Sequence, residues 1–130
     1  MTTQHTKKDK KWSEWFEIPV TDMKRAQTFY ETVFDTQIHV MELGPEFQMG
    51  IFPHSEVGCA LVYNPSFYKP ADGGVTVYLN ANPDLQVALD RIEPAGGKIL
   101  VPKKQISEEH GYMALFLDSE GNRMALHSAN

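Results

Sequence analysis

The sequence predicts an α+β fold: two βαβββ modules that together form a partly open β-barrel. Three observations carry this. First, the chain repeats itself. At an offset of 64 residues Met49 falls on Met113, Phe52 on Phe116, and Ser55-Glu56 on Ser119-Glu120. Second, the apolar period in each half runs in one order, period two, then helical spacing, then three further short apolar stretches. Third, the repeated unit is too long for a solenoid repeat and too short to be a domain alone, so the two units must pack on each other.

The first module spans 14–63. Phe16, Ile18 and Val20 alternate with Trp15, Glu17 and Pro19, which describes a half-buried strand. Asp22 fits a helix N-cap, because its carboxylate can accept free backbone N–H groups of the first turn. Met23, Ala26, Phe29/Tyr30 and Val33/Phe34 then form one apolar stripe of a helix. Strands are expected around 36–42, 46–52 and 58–63, broken by Gly44-Pro45 and by the polar turn 54–57. Residues 64–73, NPSFYKPADG, read as a linker.

The second module spans 74–128. Val75, Val77 and Leu79 alternate with Thr76, Tyr78 and Asn80. Asp84 is expected to repeat the N-cap, with Leu85, Ala88, Leu89 and Ile92 as the buried stripe, and Gly96-Gly97 ends the helix. Strands follow near 98–102, 112–117 and 122–127. Asp118–Asn122, DSEGN, is a turn of residues that tolerate one.

At 130 residues the chain fits one domain over 13–130, preceded by a flexible polar arm at 1–12. The formal net charge is −5; residues 1–13 hold four Lys and one Asp, which leaves 8 basic and 16 acidic residues and a net −8 in the rest. That argues against a nucleic-acid partner. No apolar run is long enough to span a bilayer, and no apolar stretch follows the basic arm to make a secretory signal. The single Cys59 forms no internal disulfide and suits a reducing cytoplasm.

A helix covers one face of each module's sheet. The opposite faces turn inward and should line a groove. Alternation assigns to it Trp15 and Glu17; Cys59, Leu61 and Tyr63; Thr76, Tyr78 and Asn80; Arg123, Ala125 and His127. A one-residue slip in register would invert any of these sets. Trp15, Tyr63, Tyr78, Asn80, Tyr112 and Arg123 are the expected ligand-binding residues, since aromatic walls with few polar tips suit a flat or apolar small molecule. The aromatics could equally fill the barrel or a subunit interface.

The segments FEIPVTDMKRAQTFYETVF, with its V-x-D-x-x-R-A-x-x-F-Y core, DLQVALDRIEPAGGKI and DSEGNRMALH resemble the vicinal oxygen chelate superfamily. That superfamily holds glyoxalase I, extradiol dioxygenases, fosfomycin resistance enzymes and bleomycin-binding proteins. The resemblance covers 15–127. It implies a glyoxalase-like fold and, in catalytic members, a divalent metal held by a His or Gln on each first strand and a Glu on each last strand. Carried over, those positions fall on Trp15, on Thr76 or Val77, on Ala125 and near Leu61. These supply at most one weak donor, so no metal and no other cofactor are expected at the usual site.

Two polar residues stand on the inward face, each two positions from a lost ligand: Glu17 and His127. They are the candidate catalytic pair, able to share a proton, orient a ligand or hold a relocated divalent metal. Glu17 could instead be solvated or ion-paired, and His127 could sit at a frayed end. The other histidines and Cys59 read as solvated loop residues and a core thiol. The leading reading is a small-molecule binding protein of the bleomycin-resistance type. The alternative is a glyoxalase-type lyase or isomerase using Glu17 and His127, and a third is a sensor module reading its ligand to a partner. The resemblance and the open sheet edges both imply a homodimer.

Overall fold

The computed structural model describes residues 9–130. Of the polar arm expected at 1–12, residues 1–8 therefore lie outside the described residues, and Asp9–Trp12 are exposed. The elements run β1 (Trp15–Pro19), α1 (Met23–Phe34), β2 (His39–Gly44), β3 (Phe47–Ile51), β4 (Gly58–Tyr63), β5 (Tyr78–Asn80), α2 (Gln86–Ile92), β6 (Lys98–Ser107), β7 (Gly111–Leu117) and β8 (Arg123–Ser128). Each module makes a four-stranded sheet, in the orders β1-β4-β3-β2 and β5-β8-β7-β6. In both, the first strand runs parallel to the last, and the remaining pairs are antiparallel. The sheets do not join into a closed barrel.

Helix α1 starts where the sequence places it. Asp22 sits in extended conformation (φ −142°) and accepts from the Arg25 N–H at 3.0 Å. It ends on Asp35 in the left-handed region (φ 50°), where a carboxamide or carboxylate side chain is tolerated best after glycine. Helix α2 departs from expectation at its start. Leu85 is the flanking residue, and Asp84 lies one position earlier. The Asp84 carboxylate still accepts from the Gln86 N–H at 2.9 Å, and Lys103 also binds it at 2.9 Å. The buried Ser128 hydroxyl accepts from the Leu85 N–H.

The helix-facing sides of both sheets share one core. Ile18, Phe29, Tyr30 and Leu61 from the first module join Leu79, Leu89, Phe116 and Leu126 from the second. Phe29 reaches Phe116 across the boundary, with centroids 6.2 Å apart. Burial of these apolar surfaces is the main force holding the modules together.

Polar contacts fix their orientation. The DSEGN turn of the second module docks on the β1–α1 corner of the first. One Glu120 oxygen accepts from the Thr21 and Asp22 N–H groups and the Thr21 hydroxyl, and Arg25 grips both oxygens. Burial alone would push this carboxyl up. The bonds from Arg25, Thr21, Asp22 and Ser119 outweigh that and hold it down at about 2. Beside it, the buried Tyr30 hydroxyl donates to Asp118 at 2.7 Å, and the Asn122 side-chain N–H donates to the Pro19 carbonyl at 2.8 Å. The equivalent residue in the repeat, Glu56, is exposed and among the described residues meets only Lys11, at 3.6 Å. The two turns share a Ser-Glu pair but not a task.

Register corrects two assignments of face. Strand β4 pairs Cys59 with Phe16 and Leu61 with the core residue Ile18. Cys59 and Leu61 therefore stand on the helix side, and Gly58, Ala60 and Val62 face inward. Tyr63 follows the same parity and packs against the core. Tyr112 likewise pairs with Ser128, shares the face of Ala114 and Phe116, and packs against the core, with Lys103 Nζ 4.7 Å from its ring centroid. The assignment holds for β5 and β8, where Tyr78 pairs with Ala125 and Asn80 with His127, opposite the buried Leu79 and Leu126. Strand β5 is shorter than expected, and Thr76 lies just before it.

Candidate functional site

The edge strands β1 and β5 belong to separate sheets and do not pair, and residues of both line a hollow at the seam between the modules. This seam leaves two hollows. The larger, of about 340 Å³, lies between the start of β1, the β3–β4 loop and β5. Phe16, Phe52, Cys59 and Leu79 give it apolar walls, and Tyr78, Asn80 and His54 give it polar tips. No Asp, Glu, Lys or Arg lines it. Burial pushes the Cys59 thiol up to about 12, so it too is uncharged near neutrality.

His54 is the residue that sequence reasoning passed over as a turn histidine. Its Nδ1–H donates to the Phe52 carbonyl at 2.9 Å, which leaves Nε2 unprotonated in the neutral ring. The ring lies over Gly58. A Cβ there would come within 2.6 Å of His54 Cδ2 and 2.7 Å of Nε2, so the glycine makes room for the imidazole. Trp15 meets the same ring edge-on, with centroids 5.6 Å apart. The available signal was glycine at 58, the first position of an otherwise apolar strand.

The smaller hollow, of about 150 Å³, lies at the other end of the seam, under the 64–73 linker. Glu17, Lys69 and Arg123 line it. Glu17 accepts from the Tyr68 hydroxyl at 2.6 Å and from Trp15 Nε1 at 3.3 Å. The bond to Glu17 raises the Tyr68 hydroxyl above its ordinary value. Arg123 Nη2 donates to the Gly74 carbonyl at 2.6 Å and to the Thr76 hydroxyl at 2.7 Å, while its Nε is buried without a partner among the described residues.

Of the candidate ligand-binding residues, Trp15, Tyr78 and Asn80 gather around the larger hollow, Arg123 lines the smaller one, and Tyr63 and Tyr112 stand on the helix side. Glu17 and His127 share the inward face but neither a hydrogen bond nor an ion pair joins them. His127 Nε2 faces the His110 carbonyl, so that nitrogen carries the proton as a donor. Each member of the pair has a local partner of its own.

The metal positions implied by the resemblance can be tested on their donors. Trp15 offers only an N–H, already turned to Glu17, Thr76 offers one hydroxyl, already bound by Arg123, and Val77, Ala125 and Leu61 offer nothing. Among the described residues, no group of three or more His, Cys, Asp or Glu could hold a metal ion. The residues present do not fit a divalent metal at that position.

The family model described as Glyoxalase/Bleomycin resistance protein/Dioxygenase superfamily matches residues 12–126. No curated protein matches the chain. Among solved structures, a hypothetical protein from S. aureus superposes with a TM-score of 0.68 at 18% identity, covering 98% of this chain and 99% of its own. Glyoxalase I from Zea mays gives 0.72 at 18% identity over 89% of this chain, which spans only 45% of the maize protein. A glyoxalase/bleomycin resistance protein/dioxygenase family enzyme from Burkholderia phytofirmans PsJN gives 0.67 at 15% identity, covering 90% of this chain and 98% of its own. Identities this low show a shared fold alone.

Proposed function

We propose a binding function for this chain, which belongs to the Glyoxalase/Bleomycin resistance protein/Dioxygenase superfamily: it holds a small, uncharged, apolar or aromatic molecule at the seam between its modules, without a metal. The observation that carries the reading is the hollow of about 340 Å³ with apolar and aromatic walls and no charged side chain. Its size falls in the range of small-molecule sites, roughly 300–1,000 Å³. The donor-poor residues at the usual ligand positions support the metal-free part. A lyase or isomerase using Glu17 and His127 gains no comparable support, because each is engaged by its own neighbour.

A second copy of the chain fits the same reading. The outer strands β2 and β6 have unpaired edges, and Met41, Leu43, Leu100 and Ile106 on them are exposed. The net negative charge supports small-molecule over nucleic-acid partners. No helix among the described residues is long and apolar enough to cross a membrane.

The test is a thermal-shift and NMR screen of neutral ring compounds against aliphatic carboxylates and amines. Binding of the neutral rings, weakened at least about tenfold in Tyr78→Ala, is the expected result. Hits confined to charged ligands, or hits indifferent to Tyr78, would overturn it.

A further inference from the structure

The seam pocket holds more information than its lack of charge. Its polar atoms are unequal. Asn80 Oδ1 is already taken by the Asn82 backbone N–H at 3.0 Å and its side-chain N–H at 2.8 Å, so Asn80 offers the pocket only N–H donors. The Tyr78 hydroxyl and the Ser13 hydroxyl at the rim can turn either way. Cys59 is held as a neutral thiol, a poor acceptor. His54 differs from all of these. Its tautomer is fixed from behind by the Phe52 carbonyl, its exposed ring lies over Gly58 and beside Trp15, and among the described residues that line the pocket its Nε2 is the one side-chain polar atom that can only accept. An acceptor that loses water on ligand binding and gains no donor costs about 1–3 kcal/mol. A ligand that fills this pocket is therefore selected for a donor at that point.

We propose that the seam pocket takes an uncharged aromatic ring bearing an N–H donor, of the indole type, with the ring between Phe16, Phe52 and Tyr78 and the N–H donated to Nε2 of His54. This rests on the pocket reading above and narrows its ligand class.

Indole and 1-methylindole are matched probes: they share the ring, and only the first can donate. Their dissociation constants are measured by ligand-observed NMR at about pH 8, where an ordinary imidazole is neutral. Indole is expected to bind about fivefold to tenfold more tightly than 1-methylindole and to shift the Nε2 ¹⁵N resonance of His54. His54→Phe keeps a ring over Gly58 but removes the acceptor, and should bring the two probes to equal affinity. His54→Gln, whose amide oxygen can reach the same point, should restore part of the preference. Equal binding of both probes to the unsubstituted protein overturns the donor inference and leaves the pocket reading standing. Binding of neither, at concentrations where the folded protein is intact, overturns both. A preference for indole that survives His54→Phe places the acceptor elsewhere and also refutes the assignment.

Discussion

Glu120 is the clearest place to perturb the way the modules are joined. Its side chain is completely buried, and its two oxygens collect six hydrogen bonds from Thr21, Asp22, Arg25 and Ser119. Glu120→Gln keeps the shape and removes the charge. In the folded protein the carboxyl is held at about 2, against an ordinary 4.5. Each pH unit of displacement corresponds to about 1.36 kcal/mol, so the ionised group is worth at most about 3 kcal/mol. Arg25 is half exposed, and solvent screening of that partner lowers the expectation to about 2 kcal/mol. Because the folded value is depressed, the stabilisation is full above about pH 5 and is lost as pH falls from about 4.5 to about 2. The neighbouring Asp118 has the opposite sign: burial pushes it up, its hydrogen bonds only partly counter that, and its linkage favours folding toward acid. The pH profile of the unsubstituted protein mixes the two effects, so the readout is the difference between it and Glu120→Gln. Urea unfolding at a series of pH values should give a difference of about 2 kcal/mol near neutrality that shrinks as pH approaches 2. A difference below about 0.5 kcal/mol near neutrality, or one that does not change with pH, would refute the reasoning.

Three other outcomes are expected. Gly97→Ala should destabilise by about 1–3 kcal/mol or more in urea unfolding, because its Cβ would fall 2.5 Å from the Leu117 carbonyl and 2.8 Å from Phe29, both fixed. Gly58→Ala meets only the exposed His54 ring, which can swing away; it should cost below about 1 kcal/mol yet abolish the indole preference, read by the same NMR titration. Cys59, held at about 12, should react with a maleimide at least about 100-fold more slowly in the folded protein than in urea, followed by mass spectrometry.

Much of this protein was legible in its sequence, because the relevant signals are local. A helix declares itself by its spacing, as both modules did, and by a cap such as Asp22, which held for α1, whereas α2 starts one residue beyond the expected Asp84. Strands β1, β5 and β8 carry their charged, amide and imidazole residues on one parity, Glu17, then Asn80, then Arg123 and His127, with only the small buried Ser128 on the other. Those residues fix which face turns inward. Strand β4, GCALVY, is buried at every position from Gly58 to Val62, and β7, GYMALFL, is apolar throughout. With no polar mark, period two cannot distinguish their faces, and a tyrosine suits either environment. Pairing with Ile18 and Ser128 decided them, and Tyr63 and Tyr112 moved to the helix side.

The sequence by itself determined the duplicated βαβββ units, the donor-poor residues at the positions the resemblance assigns to metal ligands and the negative body charge, since each depends on residue identity and short-range period. The tertiary structure decided which of two equivalent turns locks the modules, and where the pocket lies. Glu120 and Glu56 occupy matching repeats, but only Glu120 meets the β1–α1 corner. His54 becomes a site residue only because Gly58 leaves room for its ring and the seam brings β5 opposite it. Such facts come from the rotation of one module against the other, which is set by a shared core of distant residues rather than by any local run of sequence.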